Sequence, residues 1–504
     1  MSIKANVAAN YFGQMYTAVM AFAFVPICIR YLGTEAYGLV AIFAILQSSA
    51  ALLDLGMKPT LAREMARFNT GARSAQSILD LLRTAETLGA CVGLVVALSI
   101  WAASAWLATR WLNTTHLSPA AVAHALTGMG LICALRFLEN IYVGSIIGLQ
   151  RQVIQCVVSC SLMSARAFGA VAVLAVFSPT VGAFFAWQVL ISLISIPIYA
   201  LVVYRSLPRG NRAGSFSWST VSGIWRFSGG VSANAVLALL ILQLDKILLS
   251  ARLPLKAFSY YAVASVLSSA LYMLSMPISA AFYPTFTELA TRGDTEALRR
   301  AYHQAAQLMA VIMGGAAIVL IVFADTALNA WTGDASVTLF AAPLLRVLAL
   351  GTLLNCYVGI PYQLQLASGW TSLTVMLNAV AVCLLAPALF LIIPVYGAAG
   401  AAWIWVALNV GNLLFYTYFM HRRLLPTDKW RWYRQDVFAP ALAGGLIAAA
   451  CRIVLPSSPS RFAQLGELLI AFGMVSLAGA LVCGSTRDEL RRFTSAALGR
   501  SGLA

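Results

Sequence analysis

The sequence predicts an all-α, polytopic membrane protein with about fourteen transmembrane helices, arranged as two six-helix lobes plus two C-terminal helices. Composition is the first observation: the 504 residues are 61% hydrophobic and only 10% charged, with a mean hydropathy of +0.84. One aqueous core cannot cover so much apolar surface. The second observation is the recurrence of apolar stretches of roughly 20 residues, the length at which a helix crosses the hydrocarbon core. Helices also satisfy their own backbone hydrogen bonds there.

Fourteen such stretches can be placed along the chain. The predicted spans are 7–29, 37–55, 85–108, 121–148, 153–177, 180–203, 228–250, 258–282, 303–323, 338–360, 370–393, 397–420, 437–455 and 462–484. The first run, Val7 to Ile29, is too long for the core of a signal peptide and lacks a clear cleavage site. We expect it to be retained as the first helix.

The positive charge of the chain predicts its topology. The net charge of +16 comes from 33 Lys and Arg residues, most of which lie in short loops between spans and not in a nucleic-acid-binding patch. With the N-terminus in the cytoplasm, 22 of them fall on the cytoplasmic side and six on the opposite side. This is a strong positive-inside bias, so we expect both termini to be cytoplasmic.

A basic segment at 204–227 divides the spans into two sets. We predict an N-terminal lobe at 1–203, a cytoplasmic linker at 204–227, a C-terminal lobe at 228–436, and two extra helices with a basic tail at 437–504. A short repeat crosses the linker, because residues 32–38 and 253–259 each precede a span followed by a Pro-Thr pair, at Pro59 and Pro284. Two parallel six-helix repeats are a transporter architecture.

Two further patterns predict how helices pack. The glycine pairs Gly89/Gly93 and Gly144/Gly148 have the four-residue spacing that allows close helix contact. The loop 56–84 can form an amphipathic surface helix, and its basic residues would then face membrane lipid headgroups.

Ionisable residues at hydrocarbon depth are the candidate functional residues, because each costs about 2.5 to 3.5 kcal/mol at a helix centre. They are Arg136 and Glu139 in the fourth span, Arg166 in the fifth, Asp245 and Lys246 in the seventh, and Arg346 in the tenth. Four cations against two anions leave an excess of positive charge, which suits an anion. Guanidinium groups bind phosphate oxygens through two hydrogen bonds and stay charged inside proteins.

Spacing leaves the roles of these charges open. Arg136 and Glu139 are three residues apart on one helix and can pair, either as an ion pair that holds helices together or as the wall of a polar cavity. Arg166 has no acidic residue within about a turn of its own helix. Asp245 and Lys246 are consecutive, so we expect their side chains to diverge and not simply pair. Asp245 then serves either ion coupling or packing.

Missing motifs exclude other classes. The chain has no GxxxxGK[ST], HExxH or GxSxG sequence, so we expect no nucleotide-powered transport, no cofactor and no catalytic residues. The nine cysteines lie in or beside apolar runs without CxxC spacing, which argues against disulfides and a metal site. We therefore expect a protein that is not an enzyme.

Several short motifs resemble the polysaccharide transporter family, the Wzx-type lipid-linked oligosaccharide flippases. They are YLGTEAYGL at 31–39, LLDLG at 52–56 with the following Arg63-Glu64, QLDK at 243–246 and YAVA at 261–264. The resemblance runs over nearly the whole chain, including the fourteen-span layout. It implies the fold of the multidrug/oligosaccharidyl-lipid/polysaccharide exporter superfamily, with two lobes around a central cavity.

The resemblance also implies a function. Such proteins move a polyprenyl-diphosphate-linked oligosaccharide from the inner to the outer leaflet of the bacterial inner membrane, for O-antigen, lipopolysaccharide or exopolysaccharide assembly with a glycan polymerase or ligase. Arg136, Arg166 and Arg346 then become candidates for binding the diphosphate or acidic sugars. Glu139 and Asp245 become candidates for coupling to Na⁺ or H⁺, or for gating. A multidrug exporter and a non-transporting scaffold of a glycan assembly complex are the alternatives.

Overall fold

The computed structural model describes residues 3–52, 56–71, 74–208, 212, 214–218, 237, 239–455, 458–484 and 487. Within these ranges the chain forms helices joined by short turns, without a β-strand. The residues cluster into two compact units, Met1–Ser259 and Tyr260–Ala504. The predicted all-α membrane class is therefore confirmed.

Nineteen helices can be labelled among the described residues. The first nine helices are α1 (Ile3–Leu32), α2 (Thr34–Leu52), α3 (Met57–Asn69), α4 (Ala75–Trp106), α5 (Pro119–Gly148), α6 (Gln152–Ala172), α7 (Val181–Ser206), α8 (239–252) and α9 (Leu255–Ser269), and the unit boundary falls within α9. Those beyond it are α10 (Tyr272–Arg292), α11 (Thr295–Met309), α12 (Gly315–Val322), α13 (Ala324–Thr332), α14 (Ala335–Ala367), α15 (Ser372–Gly411), α16 (Thr417–Leu424), α17 (Lys429–Arg431), α18 (Ala439–Val454) and α19 (Arg461–Val482). Single π-helical turns extend several of them, at Leu107–Trp111, Val173–Phe177, Ala310–Gly314, Asn412–Tyr416 and Trp432–Phe438.

Eleven stretches of the described residues are long and apolar enough to cross a membrane. One of them, Ser372–Leu424, covers two predicted spans, and its backbone breaks at Gly397, where φ is 57° and ψ is −137°. Two other predicted spans, 37–55 and 228–250, run into residues outside the described ranges. The count of fourteen therefore stays a prediction, as do the orientation of the termini and the exact lobe boundaries.

The predicted glycine contacts are present in the first unit. A Cβ at Gly144 would lie 2.6 Å from the carbonyl oxygen of Lys58, and one at Gly148 would collide with that of Ala62. Gly93 approaches α5 in the same way, since its Cβ would lie 2.8 Å from the carbonyl oxygen of Ala134. Only glycine allows α3 and α4 to approach α5 so closely.

Helix α3 is the amphipathic helix predicted for the 56–84 loop. Leu61 and Met65 lie in the core, as does the carboxylate of Glu64. Arg63 Nη2 lies 2.8 Å and Arg67 Nη1 lies 3.4 Å from Glu64 Oε1, and both guanidinium groups are about half exposed. The helix is therefore fixed to the bundle by its apolar face and keeps its basic side chains outside.

The YLGTEAYGL motif at 31–39 forms the turn between α1 and α2 and a set of hydrogen bonds to a neighbouring loop. Gly33 has a φ of 83°, which lets α1 end and α2 begin one residue later. The carboxylate of Glu35 then accepts the backbone N–H groups of Thr115, at 2.6 Å, and His116, at 3.1 Å. This motif therefore ties α2 to the loop before α5 and has a structural role.

Two serines near the middle of the predicted linker are bound to α4. Asp80 Oδ1 accepts the backbone N–H of Ser215 at 2.7 Å, and Thr84 Oγ1 accepts that of Ser217 at 3.0 Å. Other residues of the predicted linker, including Arg209 and Arg226, lie outside the described residues, as does the basic tail beyond 487.

The second unit holds the predicted C-terminal helix pair. Helices α18 and α19 pack on α12 through a buried cluster that includes Ile318, Val319, Ala448 and Val475. The two extra helices are thus part of the core of this unit.

Candidate functional site

A buried polar cluster in the first unit brings together three of the predicted site residues. Arg136 and Glu139 lie on one face of α5, and Arg136 Nη1 is 2.7 Å from Glu139 Oε1. Arg166 of α6 reaches the other oxygen, with 3.5 Å between its Nη2 and Glu139 Oε2. The carboxylate is therefore shared by two guanidinium groups, one from its own helix and one from the neighbouring helix.

Helix α7 completes the cluster with hydroxyl groups. Arg166 Nη1 donates to Ser192 Oγ at 2.9 Å. Ser195 Oγ lies 3.2 Å from Glu139 Oε2 and 2.8 Å from the carbonyl oxygen of Ser192, so its single proton can serve either acceptor. These hydroxyls supply the additional hydrogen bonds that buried ions need in a low-dielectric interior.

The cluster carries a net charge of +1, because it contains two guanidinium groups and one carboxylate. The side chains of Arg166 and Glu139 are 7% and 9% exposed, whereas that of Arg136 is 32% exposed. Arg136 is therefore the more accessible of the two guanidinium groups.

The expectation that Arg166 lacks an acidic partner holds only within its own helix. Its partner, Glu139, comes from α5, and a single sequence does not show which helices are adjacent. The same limit applies to Ser192 and Ser195. A serine in a predicted span does not by itself indicate that it contacts a buried charge. The predicted pair of Arg136 and Glu139 is present.

Arg346 of α14 belongs to the second unit and to a different charge cluster. Its Nη2 lies 3.8 Å from Asp325 Oδ1, and Arg452 Nη2 lies 2.5 Å from Asp325 Oδ2. These side chains are 38% to 46% exposed. Two cations and one anion again leave a charge of +1, so the predicted cationic excess is divided between two clusters.

The expected divergence of Asp245 and Lys246 is wrong. Lys246 Nζ donates to the carbonyl oxygen of Leu242 at 2.8 Å and lies 3.3 Å from Asp245 Oδ1. The flexible lysine stem folds back along α8 and brings the ammonium group to the neighbouring carboxylate. Asp245 is therefore partly neutralised by its neighbour in the chain.

A second buried carboxylate in the first unit provides a comparison. Glu86 of α4 accepts hydroxyl hydrogen bonds from Tyr142, at 2.9 Å, and Tyr204, at 2.8 Å, and pairs with Arg83 at 3.1 Å. Unlike Glu139, it contacts one arginine and two phenols, so its surroundings carry no excess positive charge. We interpret it as a structural link between α4, α5 and α7.

Among the described residues, no three His, Cys, Asp or Glu side chains form a group suited to a metal ion.

Two family models match the chain. The model described as polysaccharide biosynthesis protein matches residues 3–290, and the MatE model matches residues 232–391. A Shigella flexneri protein described as "Putative O-antigen transporter" is 20% identical over 409 residues, which cover 80% of this chain and 94% of that protein.

Solved structures share the fold. The lipid II flippase MurJ in an inward closed conformation aligns with a TM-score of 0.71 and 13% identity, covering 97% of this chain and 100% of that one. An inward-facing multidrug transporter of the MATE family aligns with a TM-score of 0.58 and 16% identity, covering 79% of this chain and 91% of that one. At these identities the likeness shows the fold alone.

Proposed function

Because the chain belongs to the family of polysaccharide biosynthesis proteins, we propose that it moves polyprenyl-diphosphate-linked oligosaccharides from the inner to the outer leaflet of the bacterial inner membrane. The chain is a multi-pass membrane flippase of the multidrug/oligosaccharidyl-lipid/polysaccharide exporter superfamily and not an enzyme. The relative described as an O-antigen transporter supports the proposed substrate class. Both termini are proposed to be cytoplasmic.

The observation that carries this proposal is the shared carboxylate of Glu139. A cluster of two arginines and one glutamate at hydrocarbon depth has one uncompensated positive charge, and such a group is costly unless it meets an anion or water. A diphosphate carries the opposite charge, and its oxygens match the paired N–H donors of guanidinium. Arg136 and Arg166 are thus proposed to bind the diphosphate.

Glu139 acts in this proposal as a built-in counter-ion. Its carboxylate contacts donors of both Arg136 and Arg166. When Glu139 takes up a proton, or a Na⁺ ion neutralises it, those donors are released to the diphosphate. Substrate binding and ion uptake then favour each other, which couples flipping by alternating access to an ion gradient.

Two other residues extend the proposal. Arg346 of the second unit is proposed as a further anion-binding residue, and Asp325 serves as its counter-ion. Asp245 is a candidate for gating, since a change at its carboxylate alters its contact with Lys246. A glycan polymerase or ligase is the proposed downstream partner of the flipped lipid.

A multidrug-type exporter is the second candidate, because the MatE model matches residues 232–391. Such an exporter carries organic cations and favours a negatively charged cavity. The net charge of +1 in both clusters makes this candidate the weaker one.

The experiment is a flipping assay with the purified protein in vesicles. We expect it to move a fluorescent polyprenyl-diphosphate-linked oligosaccharide across the bilayer, faster with an imposed H⁺ or Na⁺ gradient than without one. An organic cation dye, tested in the same vesicles, should not be moved. Transport of the dye without flipping of the lipid would favour the multidrug exporter, and equal flipping with every gradient collapsed would contradict coupling. Movement of neither would favour the scaffold alternative.

A further inference from the structure

A segment rich in basic and aromatic residues, 418–438, lies at one end of the second unit, outside the proposed substrate contacts. It joins two stretches that are long and apolar enough to cross a membrane, Ser372–Leu424 and Lys429–Val454. The chain between two spans leaves the hydrocarbon core, so this segment lies at the membrane interface. In the proposed topology it lies on the cytoplasmic side.

The two acidic residues of this segment are buried against α11. Asp428 and Asp436 are 4% and 0% exposed. Asp428 Oδ2 accepts from Arg299 Nε at 2.8 Å, and Asp436 Oδ1 accepts from Gln307 Nε2 at 2.8 Å. The ring of His303 lies between them, hydrogen bonded to Asp436 and 3.5 Å from Asp428. The carboxylates of the segment therefore point inward and attach it to α11.

The cations of the segment are placed differently. Four arginines are exposed and one lysine is partly exposed: Arg422, Arg423, Lys429, Arg431 and Arg434. Among the described residues, none of these five forms an ion pair with a carboxylate. Arg292, an exposed arginine of α10, instead pairs with Glu288 at 2.7 Å. The outer side of the 418–438 segment thus carries five positive charges that its own two aspartates do not offset.

Aromatic rings are interleaved with these cations. The ammonium of Lys429 lies 4.7 Å from the ring centre of Tyr418 and 5.0 Å from that of Trp430. The guanidinium of Arg423 lies over the ring of Trp370, 4.3 Å from its centre. Trp430 is 64% exposed, although a large apolar ring of this kind prefers the headgroup level of a bilayer to water. The rings therefore place the cations at the depth of lipid phosphates.

The location of the segment selects among possible anionic partners. An acidic protein or a nucleic acid could also match the positive charge, but neither explains an exposed tryptophan beside a membrane span. Phospholipid headgroups surround a membrane protein at this level, and their phosphate oxygens match the paired N–H donors of guanidinium. Anionic headgroups keep the negative charge of the phosphate, whereas the ammonium of a zwitterionic headgroup cancels it.

We propose that the 418–438 segment is a binding surface for anionic phospholipids of the adjoining leaflet. Lys429 and Arg423 hold the lipid phosphates beside the rings of Trp430 and Trp370, and Arg434 adds a further exposed charge on the turn that leads into α18. The inward aspartates keep this surface against the bundle. Anionic lipid is thereby bound where the chain enters the C-terminal helix pair.

Photo-crosslinking of the full-length protein in vesicles tests this proposal. The vesicles consist of phosphatidylcholine with a small fraction of phosphatidylglycerol that carries a photoreactive group near its headgroup. A parallel set contains photoreactive phosphatidylcholine instead. Mass spectrometry of the digested protein then gives the labelling of peptides from 418–438. We expect labelling by phosphatidylglycerol to exceed labelling by phosphatidylcholine about threefold or more at low salt, and the ratio to fall as salt is raised.

Three variants show whether charge sets this ratio. The combined variant Arg423→Gln, Lys429→Gln and Arg434→Gln should bring it close to one. Arg423→Lys, Lys429→Arg and Arg434→Lys, which keep every charge at the same positions, should preserve it. Arg292→Gln removes an exposed arginine that already has a carboxylate partner and should also leave the ratio unchanged.

Equal labelling of the wild-type segment by both lipids would overturn the proposal. Selectivity that persists in the glutamine variant, or that is lost equally in the charge-keeping variant, would also overturn it. The ratio of the two lipids cancels any change in the general accessibility of the segment. Because neither lipid is the proposed transport substrate, failure of this experiment is distinguishable from failure of the flipping assay.

Discussion

Arg166 of α6 reaches Glu139 of α5 across a helix interface, with 3.5 Å between Nη2 of the guanidinium and Oε2 of the carboxylate. The other oxygen of Glu139 already pairs with Arg136 at 2.7 Å. A single carboxylate, that of Glu139, therefore offsets the charge of both arginines. A change at Glu139 should alter anion binding by this cluster directly.

Replacing Glu139 with Gln should increase affinity for a diphosphate lipid and weaken the response of flipping to an ion gradient. The variant releases donors of Arg136 and Arg166 but removes the group that takes up the ion. The buried Arg166 loses its anionic partner, so we also expect a cost of about 3 kcal/mol in stability. Lipid binding and thermal melting of the purified protein measure the two effects.

Glu86→Gln is the matched control for this change, because Glu86 is also a buried, arginine-paired carboxylate of the first unit. We expect it to lower stability without raising diphosphate affinity. Equal effects of both variants on binding would show that Glu139 has no special relation to the substrate.

Replacing Asp325 with Asn should raise the positive charge around Arg346. The side chains of this cluster are more than a third exposed, so the ion pairs contribute less than about 1 kcal/mol to stability and melting should barely change. If Arg346 contacts the diphosphate, its affinity should rise about two- to five-fold, as expected for one charge at short range in a polar environment. Titration of the lipid into the detergent-solubilised variant checks this, and an unchanged affinity would remove Arg346 from the site.

Replacing Gly148 with Ala should destabilise the first unit by about 1 to 3 kcal/mol, because the added methyl collides with the carbonyl oxygen of Ala62 and no side chain can move aside. Gly182→Ala is the control, since its Cβ meets nothing within 4 Å. Thermal melting of both variants measures the difference. A Gly148→Ala protein as stable as the control would contradict the close α3–α5 contact.

Replacing Glu35 with Gln should remove a pH-dependent contribution to stability. Burial raises the pKa of Glu35, but the N–H groups of Thr115 and His116, the Thr115 hydroxyl and the charge of His116 together lower it by more, so the pKa lies below its ordinary value. A carboxylate with a lowered pKa stabilises the fold above its unfolded pKa of about 4.3, and this stability is lost as pH falls through the folded pKa. The wild type should therefore melt at a higher temperature than Glu35→Gln at pH 7, and the gap should close in acid. A gap that stays constant down to pH 3 would contradict this role.

Much of the fold could be predicted from the sequence because lipid acts on each span separately. Length and apolarity decide whether a stretch becomes a transmembrane helix. The spacing of Gly144 and Gly148 predicts a close helix contact but does not identify the partner helix. The pair of Arg136 and Glu139 was predictable for the same reason, since both residues lie on one helix.

Contacts between helices could not be predicted in this way. Arg166 contacts Glu139 only because α5 and α6 are neighbours. Asp325 likewise forms ion pairs with Arg346 and Arg452, which belong to two other helices. His303 lies at the edge of a predicted span. A single histidine at that position does not indicate that Asp428 and Asp436 contact it.

The most direct measurement is the rate of polyprenyl-diphosphate-linked oligosaccharide flipping by vesicles that contain Arg136→Gln or Arg166→Gln. Loss of one charge-assisted hydrogen bond to the diphosphate is worth about 1.5 to 3 kcal/mol, so we expect at least tenfold weaker apparent affinity for the lipid. Arg83→Gln is the control, because Arg83 pairs with Glu86 at the same three-residue spacing, and its affinity should stay at the wild-type value. Wild-type affinity and flipping rate in both Arg136→Gln and Arg166→Gln would contradict diphosphate binding by this cluster.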